Sequence, residues 1–216
     1  MSSKKLDILQ SGETRPDTGY WRPWPATLSL SEAHDRLLRR LHKPWAVKKL
    51  AAWGRFRKVY YKPLDSRPRA MVKAFNDMDT VLFRGVLRRR VNIQWEVRLE
   101  SGCVGQAWYP RMENGLPTKQ VHIRLSLIGL FGRRSEHLWD TLMHEMLHAY
   151  LYISTGGETD EYYTCGKHLD YGPLFFSDAQ ALTERLHLKG LEVEDIGGRG
   201  EVSLRQASKI WHGREE

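Results

Sequence analysis

The chain has 216 residues, of which 41% are hydrophobic and 28% charged, with a mean hydropathy of −0.56. That suits one globular domain with a real core, plus ends outside it. No run is long or apolar enough to span a bilayer, and residues 1–5 are followed by no apolar h-region. The expectation is therefore an intracellular protein, nuclear or cytoplasmic, with neither membrane segment nor secretory signal. The net charge of +8 is uneven: residues 1–134 hold 27 Lys+Arg against 11 Asp+Glu, and residues 135–216 hold 7 against 15.

Residues 1–30 read as an irregular N-terminal arm, because Pro16, Pro23 and Pro25, with Gly12 and Gly19, break regular elements. A helix is predicted from Ser31, with Leu37, Leu38 and Leu41 on its apolar face and Pro44 beyond its end. A short helix over 46–53 and a connector over 54–66 follow. The stretch Arg55-Phe56-Arg57-Lys58-Val59-Tyr60-Tyr61-Lys62, with Arg67, Arg69, Arg84 and Arg88-Arg89-Arg90, interleaves cations and aromatics. That pattern suits a phosphate backbone with stacked bases, and it also suits a solvated basic face whose aromatics lie in the core.

Met71, Ala74, Phe75, Met78, Val81 and Leu82 recur at helical spacing and predict a helix over 67–83, with Gly85 as its stop. Residues 91–97 alternate as a half-buried strand, 105–109 form a second strand candidate after a gap, and 120–127 alternate again. Ser135 then stands where it can cap a long helix.

That helix carries His144-Glu145-Met146-Leu147-His148, an H-E-x-x-H. Positions i and i+4 share one helix face, so two imidazoles can reach a single zinc ion, and the glutamate can act as general base to a water there. The same three residues on an exposed amphipathic helix would be ordinary surface groups. Here the flanks are apolar on several sides, so the helix should be buried, and buried His and Glu need partners. A polar loop follows through Asp170, and Gly172-Pro173 opens a further helix with Leu174, Phe175, Ala179, Leu182 and Leu186 toward the core. Beyond it, 192–196 reads as a strand and 201–211 as a terminal helix. Two cysteines, Cys103 and Cys165, lie far apart, which argues against a disulfide scaffold and excludes a four-cysteine zinc ribbon. Cys165 lies near the H-E-x-x-H site and could bind metal, but it reads first as a plain structural or surface thiol.

Four stretches in order resemble the SprT-like metallopeptidase domain, the protease unit of Spartan-type DNA–protein crosslink proteases. They are Phe75-Asn76-Asp77-Met78 with Leu82-Phe83-Arg84-Gly85-Val86-Leu87; 91–97 with Trp95; Val121-His122-Ile123-Arg124-Leu125-Ser126; and Leu142-Met143-His144-Glu145-Met146-Leu147-His148-Ala149. The resemblance covers roughly 70–188. It implies a zincin-like α+β fold, with helices around a short three- to four-stranded sheet and the H-E-x-x-H on a central helix. It also implies zinc-dependent hydrolysis of peptide bonds in protein substrates, with DNA as a further partner. The chain then divides into the arm at 1–30, an SprT-like domain over 31–190 and a C-terminal extension over 191–216.

Two departures from the family pattern stand out. The zinc ribbon of many relatives is missing. Where relatives place a third histidine, in the form H-G-P-x-F, this chain has Tyr171-Gly172-Pro173-Leu174-Phe175. Catalytic zinc usually takes three protein ligands. Histidine is the better default than tyrosine, whose proton has a pKa of about 10. His168 therefore ranks first as third ligand, Tyr171 second, and a carboxylate from Glu158, Asp160, Glu161 or Asp170 third. With His144, His148 and His168 on zinc and Glu145 as base, Tyr171 would donate to the oxyanion of the tetrahedral intermediate. Two rivals follow from the departures: a nucleic-acid-binding protein with a structural or degenerate zinc site, and a zinc enzyme repurposed for a small molecule.

Overall fold

Two apolar alternations build the centre of the fold. In the computed structural model, residues 8–10, 27–61, 68–99, 103–108, 121–130, 135–156, 172–193 and 196 are described. Strand β1 spans Ile8–Gln10, and helices α1 (Leu30–His42), α2 (Val47–Tyr60) and α3 (Pro68–Met78) follow. A π-helical turn, Asp79–Phe83, continues α3. Then come β2 (Val91–Glu96), β3 (Gly105–Trp108), β4 (Val121–Ser126), the short α4 (Leu127–Leu130), the long α5 (Ser135–Thr155) and α6 (Gly172–His187).

The four strands make one mixed sheet in the order β1-β2-β4-β3. The central pair, β2 and β4, is parallel and in register from Val91 opposite Val121 to Glu96 opposite Ser126. Val91, Ile93, Trp95, Val121, Ile123 and Leu125 are buried, as the period of two demands of a covered sheet. Helix α5 packs on β3 and β4, with α1 and α6 against it. The expected α+β architecture and sheet size are what the chain adopts.

Four local expectations need correction. Within the stretch read as irregular, Ile8–Gln10 adds an antiparallel edge strand to β2. The connector expected from Gly54 onward is helix instead: α2 runs on to Tyr60. A Cβ at Gly54 would meet nothing within 4 Å, so the glycine sits on an open face, while Trp53, Phe56 and Tyr60 are buried on the other. Phe56 meets Trp139 of α5 edge-on, ring centroids 5.8 Å apart. That burial outweighs a helix-propensity cost of about 1 kcal/mol for glycine. Ser135 does not wait outside α5 as a cap but opens the helix, and its hydroxyl donates to the Tyr60 carbonyl at 2.9 Å. Of the strand expected over 192–196, Glu192 and Val193 are irregular and Ile196 lies in a turn.

Cysteine chemistry differs too. Cys103, just ahead of β3, is buried and disulfide-bonded rather than a thiol. The other cysteine, Cys165, lies outside the described residues, as does the predicted helix at 201–211. Among the described residues no helix is long and apolar enough to cross a membrane.

Candidate metal centre

Helix α5 is buried along nearly its whole length, from Leu138 to Thr155, because sheet, α1 and α6 surround it. Burial on that scale leaves little surface to solvate polar side chains, so the buried polar residues on α5, Asp140, Glu145 and His148 among them, need protein partners. His144 and His148 stand one turn apart with their Nε2 atoms 3.1 Å from each other. Two nitrogens bound to one tetrahedral zinc, each at about 2.0–2.1 Å, lie roughly 3.3 Å apart. The two imidazoles therefore converge as a zinc ion would require.

The orientation of His144 is set from outside α5. Its Nδ1 lies 2.5 Å from the carbonyl oxygen of Ile196. A carbonyl only accepts, so Nδ1 carries the proton and the neutral ring turns an Nε2 lone pair toward His148. Metal-binding histidines commonly use such a partner to fix tautomer and ring angle. Phe175 of α6 walls the same space: its ring stacks on His148 at 4.2 Å with planes 18° apart and meets His144 edge-on at 5.2 Å. Phe175 is fully buried.

Glu145 points the other way, to β3. It is buried, and burial pushes its carboxyl up to about 8, partly offset by a hydrogen bond from the backbone N–H of Ala107. The close approach depends on Gly105. A Cβ there would stand 2.6 Å from Thr141 Cγ2 and 2.9 Å from Glu145 Oε1, inside any tolerable contact. A side chain at this strand position would drive the carboxylate away from β3.

A second buried acid of the helix is committed elsewhere. Asp140 Oδ1 lies 2.9 Å from the Tyr60 hydroxyl, which is also 3.1 Å from the Glu192 carbonyl, so one proton serves two acceptors. Burial, then the charge of Asp140, raises the Tyr60 hydroxyl far above its usual range. This junction ties α2, α5 and the segment after α6 together.

The structure thus brings His144 and His148 together, and holds Glu145 of the same helix with its carboxylate against β3. Among the described residues, no group of three His, Cys, Asp or Glu able to hold a metal forms. His168, Tyr171 and the candidate carboxylates Glu158, Asp160, Glu161 and Asp170 all lie outside the described residues. Three contributors have no counterpart in the sequence reading: the Ile196 carbonyl, the Ala107 N–H and the space left by Gly105. The first two are backbone groups, which residue identity does not advertise. For Gly105, a glycine opening a strand beside a buried helix was the available signal.

Residues 71–171 match the model of the SprT-like family. No curated protein matches the chain.

Proposed function

Since the chain carries an SprT-like domain over residues 71–171, we propose that it is a zinc-dependent metallopeptidase. The observation that supports this most is the convergence of two imidazoles, 3.1 Å apart at Nε2, one of them turned by a backbone carbonyl, beside a buried carboxylate. Zinc, when bound, would supply a Lewis acid that polarises the scissile carbonyl and lowers the pKa of a water. His144 and His148 would hold it, with a third ligand from the loop that contains His168 and Tyr171.

In this reading Glu145 takes the proton of the attacking water and returns it to the leaving amine. Its setting fits a shuttle. Burial favours the protonated carboxyl, and the Ala107 N–H favours the carboxylate, so neither form is strongly held. A divalent cation on the neighbouring imidazoles would draw the value down from about 8, toward the ionised base that the first step needs. Phe175 keeps the imidazoles from rotating and excludes water behind them. The substrates proposed are proteins, and among them proteins bound to DNA, because the half of the chain before α5 carries the basic excess.

The test is zinc content together with proteolysis of a DNA-binding protein. Glu145→Gln should keep one zinc per chain and lose turnover by about 100- to 10,000-fold. His144→Ala should lose the metal. Wild-type cleavage by Glu145→Gln would overturn the proposal.

A further inference from the structure

Away from α5, three elements close around a cavity of about 390 Å³. They are the end of α1, the start of α2 and the turn after the π-helix. Six cationic side chains line it: Arg40, Lys43, Lys48, Lys49, Arg84 and Arg88. No Asp or Glu does. Among the described residues no carboxylate forms a side-chain ion pair with any of the six. The nearest acid beneath the turn, Asp79, is fully buried and spends both oxygens on the backbone N–H groups of Leu87 and Arg88, at 3.1 and 2.9 Å.

Such crowding is unfavourable unless something offsets it. Lys49 records the strain: burial, then Arg84, Arg185 and Arg40, lowers its ammonium to about 8. One of its three N–H donors goes to the Val81 carbonyl at 2.7 Å, which leaves two. Arg88 Nε is buried with no hydrogen-bond partner among the described residues. Arg84 holds a left-handed backbone at φ 58°, a position more readily taken by glycine.

Helix α2 adds to the field. Its N-cap, Ala46, gives no side-chain hydrogen bond, and its first turn has no acid. The chain treats α1 in the opposite way, with Ser29 and Glu32 in a reciprocal capping box. At α2 the positive end of the helix dipole and two lysines face the same recess.

We propose that this cavity is a binding site for a phosphate group, held by Lys43, Lys48 and Arg84 at the rim and Lys49 and Arg88 within. The site stands apart from the metal centre and does not depend on the peptidase reading. The phosphate is a nucleic-acid backbone group or a small phosphorylated ligand, and two probes separate these sources. One is a fluorescein-labelled single-stranded DNA oligonucleotide, followed by polarisation across a salt series. The other is inorganic pyrophosphate, followed by calorimetry.

Lys48 and Arg84 are exposed, so Lys48→Glu/Arg84→Glu should not disturb the core. For a backbone phosphate, the double variant should bind the oligonucleotide at least tenfold more weakly. Its salt slope should fall by about 1.4, at roughly 0.7 per lost contact to a single strand. For a small ligand, pyrophosphate binding is lost at least tenfold and oligonucleotide binding is not. Lys58→Glu, at the far end of α2 and outside the cavity, should change either affinity less than twofold. Unchanged binding of both probes by the double variant would overturn the site. So would an equal loss in Lys58→Glu, which would mean diffuse attraction. The double variant relieves like-charge repulsion and places an acid in the first turn of α2, so it should melt no lower than wild type. Lost binding together with a lower melting temperature would also count against the proposal.

Discussion

The metal centre and the basic cavity both hold charge or potential charge where the fold alone would not put it, and they solve that problem in opposite ways. At the metal centre the difficulty is desolvation. Glu145 and His148 are buried, and the chain meets the cost with partners drawn from the Ala107 N–H, the His144 ring and the Phe175 face. At the cavity the difficulty is repulsion. Three of its six cations are exposed, and among the described residues no carboxylate lines the space or forms an ion pair with them. Buried partners supplied from inside the protein are little affected by salt. A site left incomplete responds to what is outside it and to ionic strength.

The largest expected effects lie on the enclosed side. Glu145→Gln removes the proton carrier and keeps the shape. Gly105→Ala attacks the same carboxylate through sterics: a methyl group 2.6 Å from Thr141 Cγ2 and 2.9 Å from Glu145 Oε1 must push one of them. A misplacement of about 1 Å costs on the order of 100-fold in rate. Gly105→Ala should therefore lower kcat by roughly that factor with zinc content unchanged, alongside a loss of stability of about 1–3 kcal/mol from overpacking. Near-normal kcat would show that the Glu145 position against β3 is dispensable.

Phe175 offers an intermediate step. Phe175→Leu keeps an apolar side chain at a fully buried site but removes the ring stacked on His148 at 4.2 Å. If that ring holds the imidazole at the angle the metal needs, zinc affinity should fall by about tenfold, the scale of losing a supporting contact behind a ligand. Competition with a chromogenic chelator would measure it. Unchanged affinity would reduce Phe175 to core packing.

The sheet and α5 were legible because burial writes itself into spacing. Val91, Ile93 and Trp95 alternate, as do Val121, Ile123 and Leu125, and the strands form there. The H-E-x-x-H falls on a helix for the same reason: apolar residues flank it on several sides. What stayed hidden depends on partners distant in sequence. Gly54 reads as a break until Phe56 finds Trp139, 83 residues later. Ile8–Gln10 is too short to announce a strand without β2 beside it. The Ile196 carbonyl reaches His144 from a segment read as an extension, and no side-chain pattern encodes it. The cavity was half visible. Of its six cations only Arg84 and Arg88 belong to the basic pattern of the sequence, and only folding shows that Arg40 and Lys43 of the α1 end meet Lys49 and Arg84 around one space.

On the open side, salt should separate the two sites. Raising ionic strength from about 50 to 200 mM should weaken ligand binding at the cavity, since each phosphate contact releases counterions. The zinc stoichiometry of the same sample should not move if His144 and His148 hold the metal as proposed, because His148 is buried and His144 half-buried. Loss of zinc in parallel with ligand would show that the two regions are coupled, and the contact to suspect is Arg40, which lines the cavity and reaches the Tyr150 hydroxyl of α5 at 3.4 Å.

The smallest effect concerns the clasp between the two regions. His34 of α1 and Asp178 of α6 meet at 2.8 Å, which joins the helix that ends at the cavity to the helix that supplies Phe175. Asp178 is fully buried, and its Oδ2 has no hydrogen-bond partner among the described residues. Burial raises its carboxyl to about 7, with His34 pulling in the opposite direction. A folded-state pKa above the ordinary aspartate value of 3.8 means that the folded protein holds this proton more tightly than the unfolded chain does. The stability it contributes is full below about pH 4 and is lost as pH rises through about 7. Asp178→Asn keeps a hydrogen-bonding partner for His34 and cannot ionise. In urea unfolding at pH 5 and pH 8, wild type should lose more stability between the two than Asp178→Asn does, and an equal loss in both proteins would remove this carboxyl from the account. The direction matters to the comparison: this carboxyl favours the folded state on the acid side, where Lys49, lowered to about 8, is also protonated and the cavity carries its full charge.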